Sequence, residues 1–151
     1  MSDALNGSAT SSETSAERKE LRLREQLRLA GRAVVAFSGG VDSGLLLRVA
    51  VEELGAAALG VMAVGASLPE RDRRDALEMA TRLGARLELV ATDEFDDPRY
   101  LANRSDRCYW CRSSLVRALT PIAEREQAVM MYGAIVDDLA DDRPGMRAAA
   151  E

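Results

Sequence analysis

Histidine is missing altogether, and cysteine occurs only at Cys108 and Cys111 among 151 residues. A tetrahedral zinc or an iron–sulfur cluster usually takes three or four Cys/His ligands, so one copy of this chain cannot house such a centre. No apolar run approaches the about 20 residues that span a bilayer, and the N-terminus has no apolar core of a signal peptide. A cytoplasmic protein is expected, in a reducing environment that disfavours a structural disulfide. Positive charge is not in excess either: 20 Lys and Arg against 25 Asp and Glu leave a net charge of −5. That balance argues against a broad electrostatic footprint for nucleic acid or an anionic membrane and leaves room for a local basic patch only.

What is present suffices for one domain, since 47% of the residues are hydrophobic and the length is that of a single unit. Residues 1–16 are rich in Ser, Thr, Asn and Gly; they cannot bury enough surface to offset their own ordering and are expected as a disordered tail before a domain over 17–151. Glu17 to Leu29 carries leucines among charges and predicts a surface helix ended near Gly31. Val34 to Phe37 is a short β-branched apolar run, the pattern of a strand buried on both faces. Asp42 or Ser43 is expected to cap a helix through Leu54, whose Leu45, Leu46, Val49, Ala50 and Leu54 should pack it inside. Ala57 to Val64 reads as a second strand, Pro69 opens a helix to Gly84, and Arg86 to Ala91 reads as a third strand. The polar stretch Thr92 to Asp106 is longer than most connections and is a candidate functional loop. A further amphipathic helix follows, kinked or divided at Pro121, then a fourth strand over Ala128 to Ala134. This alternation predicts an α/β fold, a doubly wound parallel sheet with right-handed crossovers.

Between the first strand and its helix stands Ser38-Gly39-Gly40-Val41-Asp42-Ser43. Glycines let the backbone curl around phosphate oxygens, while a new helix aims unpaired N–H groups and its positive dipole end at them. The serines can add hydroxyl donors, and the Asp42 carboxylate can hold a divalent cation against the phosphates. The usual P-loop spacing is absent and no lysine follows the glycines, so this is a different phosphate loop, or else an ordinary Ser/Gly turn. Doubly wound sheets bind ligands outside the carboxyl ends of their strands, which brings Ser67 near the same crevice unless it merely caps the next helix.

The run SGGVDS after a strand resembles the signature of the PP-loop ATP pyrophosphatases, which cleave ATP between the α and β phosphates and use the adenylate to activate a second substrate. Four pieces together, SGGVDS, Ser67-Leu68-Pro69, NRSDRCYWCR from Asn103 and DDLADDRPG from Asp137, resemble the ATP-dependent sulfur transferases that make the nickel-pincer cofactor of lactate racemase, the LarE family. The resemblance implies an adenine nucleotide alpha hydrolase-like, Rossmann-like fold. It also implies ATP and Mg2+ as cofactors and a small-molecule pyridinium dicarboxylic acid mononucleotide as partner, its carboxylate adenylated before sulfur transfer. By the same resemblance Ser38, Gly39, Gly40 and Ser43 hold the pyrophosphate end, Asp42 and Asp138 the magnesium, Val61 and Met62 meet adenine, and Gly133 lies beside the ribose. Arg107 and Arg112 would receive a phosphate or carboxylate of the mononucleotide, because a guanidinium pairs bidentately with such groups.

Several positions depart from the family pattern. Gly44 stands where Thr or Ser usually follows, Ala134-Ile135 replaces Thr-Asn, and Asp142 replaces an aromatic residue. The family's sulfur-donating cysteine lies beyond a strand that this chain lacks, so no residue here takes that role and the sheet is expected to miss its last strand and C-terminal region. Cys108 and Cys111, beside arginines at a helix start, read either as a thiol pair for redox or sulfur handling or as packing residues. Trp110 reads as a base-stacking platform or a loop anchor, and Asp137 to Asp142 as a metal turn or a solvated helix start. Other PP-loop adenylating chemistry, tRNA thiolation or amidation of a carboxylate, stays open, as do a nucleotide-binding module without turnover and a homo-oligomer.

Overall fold

The computed structural model describes residues 14–66, 68–92 and 107–133, with side chains from 112 onward in the last stretch. Its elements are α1 (Ser15–Ala30), β1 (Ala33–Ala36), α2 (Val41–Leu54), a 3-10 turn (Gly55–Ala57), β2 (Ala58–Val64), α3 (Glu70–Arg82), β3 (Arg86–Ala91), α4 (Arg107–Glu126) and β4 (Val129–Met131). The strands form one sheet in the order β3-β2-β1-β4, with every neighbouring pair parallel. The doubly wound α/β fold expected from the alternation is present.

β1 is apolar throughout, yet its two faces serve two cores. Ala33 and Val35 join Leu27, Leu46, Leu47, Val49, Ala50, Ala76 and Ala80 on the side covered by α1, α2 and α3. Val34 points the other way and packs with Leu59, Val61, Leu119, Ile122 and Ala123 under α4. A strand's period of two divides the run between layers, and burial on both faces is why no polar residue interrupts it.

α1 starts at Ser15 because Thr14 and Glu17 form a capping box: the Thr14 N–H donates to the Glu17 carboxylate at 2.6 Å and the Glu17 N–H to Thr14 Oγ1 at 3.3 Å. Only Leu27 of this helix is fully buried. Ion pairs lash it to α2, with Arg24 at 2.7 Å from Glu52 and 2.8 Å from Glu53, and Arg28 at 2.6 Å from Glu53. At the amino edge of the sheet, Arg32 and Arg86 each reach Glu126 at 3.3 Å, and Arg125 reaches Glu88 at 2.6 Å.

The structure departs from the sequence reading where α1 takes in Ser15 and Ala16, expected in the tail, and at four further places. Gly40, not Asp42 or Ser43, is the N-cap of α2, and it makes no side-chain cap bond. α2 is not packed all round, for Val41 and Leu45 are 85% and 55% exposed; with the exposed Arg48 they make one stripe at helical spacing. α4 runs through Pro121 undivided, at an exposed position where water can serve the carbonyl that a proline nitrogen cannot. β4 spans Val129–Met131 only, since it pairs with β1 from Ala33 to Val35 and with no other described strand.

Candidate functional site

The chain leaves β1, builds β2 and β3 on one side, and returns through α4 to β4 on the other side of β1. The carboxyl ends of β1 and β4 therefore flank the point where strand order reverses, the place at which open α/β sheets leave a crevice. Ser38 to Ser43 occupies the β1 side, and Tyr132-Gly133 leaves the β4 side. The two exits touch: a Cβ on Gly133 would lie 3.4 Å from the Asp42 carbonyl carbon and 3.5 Å from both Asp42 Cβ and the Ser43 nitrogen. Asp42 and Gly133, remote in the chain, are thus neighbours.

Within the turn the serine hydroxyls are occupied with shaping the backbone. The Ser38 N–H donates to Ser43 Oγ at 3.1 Å, the two hydroxyl oxygens are 3.0 Å apart, and the Gly40 N–H donates to Ser38 Oγ at 3.3 Å. Ser43 is buried and Ser38 exposed, so Ser43 pins the loop from below while Ser38 faces the crevice. The N–H groups of Gly39, Val41, Asp42 and Ser43 find no acceptor among the described residues. Those amides, at the positive end of a 14-residue helix, make the concave donor set that suits a phosphate.

α3 forms a wall of this turn, a role the sequence reading missed. Gly39 has φ +83° and its missing Cβ would fall 2.8 Å from Ala76 Cβ, so both conformation and space demand glycine there. Gly44, one helical turn from Gly40, would carry a Cβ 3.0 Å from Met79 Sδ. The absence of a Thr or Ser at Gly44 is thereby matched to the methionine on α3. The signal in the sequence was the small Ala76 at helical spacing from Ala80, which fits a close approach but does not name its partner.

Asp42 stands exposed in the first turn of α2. Among the described residues no group of three or more acidic or thiol side chains gathers to hold a metal. Magnesium does not ask for one, since it takes one or two carboxylates and completes its shell with phosphate and water. The donor set therefore fits a magnesium nucleotide rather than an all-protein metal cage. Carboxylates held below their ordinary range lie elsewhere: Glu53 by Arg28 and Arg24, Glu52 by Arg24 and Arg48, Glu126 by Arg86.

The remaining candidates are distributed as follows. The Arg112 guanidinium carbon sits 5.0 Å from the centroid of the Tyr132 ring, which brings it from the α4 layer to the rim beside Gly133. Val61 and Met62 are buried within β2, 0% and 1% exposed, short of the strand's end at Val64, and the Val61 carbonyl accepts from the Phe37 N–H at 2.9 Å. Arg107, Cys108 and Cys111 open α4, and their side chains and that of Trp110 lie outside the described residues, as do Ser67, the loop over 93–106 and the Asp137 to Asp142 run with Asp138. No described helix is long and apolar enough to cross a membrane.

The comparisons with known proteins agree with this fold. The similar proteins include NAD(+) synthetases, and the structural neighbours include NAD and NMN synthetases. The chain is 40% identical to an uncharacterized protein of Synechocystis over 140 residues, 89% of this chain and 51% of that one. It is 31% identical to the pyridinium-3,5-bisthiocarboxylic acid mononucleotide synthase of Lactiplantibacillus plantarum over 135 residues, 88% of this chain and 49% of the synthase. A shorter stretch of 82 residues is 39% identical to the glutamine-dependent NAD(+) synthetase of Rhodobacter capsulatus, covering 52% of this chain and 14% of that protein. Among solved structures, glutamine-dependent NAD+ synthetase from Acinetobacter baumannii in complex with ADP superposes with a TM-score of 0.71 at 19% identity, over 85% of this chain and 27% of that one. No family model matches. The chain spans about half the length of the first two curated relatives.

Proposed function

We propose that this domain binds ATP with Mg2+ at Ser38 to Ser43 and adenylates a carboxylate of a pyridinium mononucleotide, the activating half of a LarE-type sulfur transfer. The observation that carries it is the turn itself, whose unclaimed amides gather at the switch point of the sheet. The 31% identity to a mononucleotide synthase supports the branch. In the reaction a carboxylate oxygen attacks the α-phosphorus, the bond to the β-phosphate breaks, and pyrophosphate leaves; the resulting mixed anhydride has AMP as a good leaving group for a later sulfur nucleophile. The Gly39, Val41, Asp42 and Ser43 amides would hold the departing pyrophosphate, and Ser43 and Ser38 would keep those amides in register. Bound magnesium, held by Asp42 and by Asp138 where that turn reaches it, would neutralise phosphate charge. Adenine would lie against the backbone at the β2 exit beyond Val61 and Met62, with Gly133 giving room for the ribose. Arg112, steadied on Tyr132, would receive an anionic group of the mononucleotide, together with Arg107. No residue of this chain is assigned as sulfur donor, and Cys108 and Cys111 keep both of their readings.

Incubation with MgATP and pyridinium-3,5-biscarboxylic acid mononucleotide should yield pyrophosphate and the acyl-adenylate in equal amounts, with AMP released only as a nucleophile consumes the anhydride. Formation of ADP would reject the proposal. The similarity to a glutamine-dependent NAD(+) synthetase favours a second reading, amidation of a carboxylate by the same adenylate chemistry. Trapping the anhydride and identifying the nucleophile that consumes it, sulfur or ammonia, separates the two; nucleotide binding with no pyrophosphate release would rule out both.

A further inference from the structure

Arg73 is the one described side chain with a buried nitrogen that lacks a hydrogen-bond partner: its Nε meets no acceptor. Its Nη1 lies 3.1 Å and 3.3 Å from the two oxygens of Glu70, but that carboxylate is 80% exposed and on the same helix turn, so the pair is a weak reason to keep a guanidinium half-buried. An N–H removed from water without an acceptor destabilises the fold, and such a group in a folded protein calls for an explanation.

The position of Arg73 supplies one. Arg73, Ala76 and Ala80 share the inward face of α3, at i, i+3 and i+7, with Ala76 and Ala80 each 1% exposed and Arg73 half-buried. Ala76 is the residue against which Gly39 packs. Helix α3 follows β2 and is joined to it by a short turn, so its first residues lie at the carboxyl edge of the sheet, where the phosphate turn is. Arg73 stands one turn nearer that edge than Ala76, on the helix face that meets the turn at Gly39. The turn has no lysine of its own.

We propose that Arg73 is the side-chain cation of this phosphate site, its guanidinium Nε–H and a terminal N–H pairing with the β- and γ-phosphate oxygens of the nucleotide that the Gly39, Val41, Asp42 and Ser43 amides hold. A guanidinium fork presents two parallel donors to such oxygens. A ligand oxygen on Nε satisfies the orphaned donor, and the positive charge stabilises the pyrophosphate as it leaves. The inference rests on the nucleotide-binding reading above and adds a residue to it.

The test uses isothermal titration of the whole chain with MgATP, with magnesium pyrophosphate and with AMP, alongside thermal melts without ligand. Arg73→Gln is expected to weaken MgATP and pyrophosphate binding roughly tenfold or more, as expected when a charged partner of a phosphate is removed, with AMP affinity unchanged. The same variant should melt at or above the wild-type temperature without ligand, because the unsatisfied donor is gone. Glu70→Gln should leave MgATP affinity within about twofold of wild type, as befits an exposed pair. Equal MgATP affinity for wild type and Arg73→Gln would overturn the assignment while leaving the nucleotide site intact, as would an equal loss for AMP. A lower melting temperature for Arg73→Gln with unaltered binding would mark Arg73 as structural and overturn it too. Failure of the wild type itself to bind MgATP would reject both this inference and the reading on which it rests.

Discussion

The Ser38 and Ser43 hydroxyl oxygens lie 3.0 Å apart across the mouth of α2, and Ser43 also accepts the Ser38 N–H at 3.1 Å. One buried hydroxyl thereby fixes where the turn's amides point. Ser43→Ala leaves the Ser38 N–H without its acceptor, a loss of about 1 kcal/mol. The melting temperature should fall by roughly 3–5 °C, and MgATP affinity measured by calorimetry should fall by about tenfold or more. A variant that melts lower but binds as well would confine Ser43 to folding.

Gly39 admits no side chain on two independent counts, φ +83° and the 2.8 Å approach to Ala76. Gly39→Ala should cost about 1–3 kcal/mol by denaturant titration and abolish detectable nucleotide binding. Adding Ala76→Gly removes the collision and not the dihedral strain, so the double variant should recover stability in part only. Full recovery would mean that crowding alone required the glycine.

Gly44 presents the opposite balance. Its absent Cβ would meet Met79 Sδ at 3.0 Å, and a half-buried methionine can shift by a few tenths of an ångström. Helix position favours alanine over glycine by up to about 1 kcal/mol, while a flexible thioether resists little. Gly44→Ala should therefore raise the melting temperature by about 1–4 °C. A drop instead would show that Met79 is held in place.

Acid should loosen the seam between α1 and α2. Arg28 and Arg24 hold the Glu53 carboxyl below its usual range, and Arg24 and Arg48 do the same for Glu52. A depressed folded-state value means that these groups contribute stability above the ordinary carboxylate value of about 4.3 and lose it as pH falls through the folded value. Melting temperature should stay nearly level from pH 7 to about 5 and decline below that. Glu53→Gln should flatten the decline, and an unchanged profile would remove this pair from the account.

Much of the architecture is legible in local patterns. The second and third strands and the stops at Gly31, Gly55 and Gly84 follow from apolar runs and glycine placement, because a strand's burial and a helix's end are set by neighbours in the chain. The glycine turn was legible for the same reason: a strand, a bend and a helix start are contiguous. The cap of α2 was misread because side-chain capping preference at Asp42 and Ser43 was outweighed by the hydroxyl of Ser43 turning back to Ser38, a partner that the spacing alone does not select.

Residue order along the chain settled that a glycine turn lined with amide donors would exist between the first strand and its helix, since backbone freedom and helix-end donors are properties of contiguous residues. Packing of separate elements settled what surrounds it: Ala76 and Met79 against the glycines, Gly133 against Asp42, and Arg112 on Tyr132. The members of these pairs are far apart in the chain, and which of them meet depends on sheet order and on the faces that helices turn inward, which no stretch of residues encodes by itself.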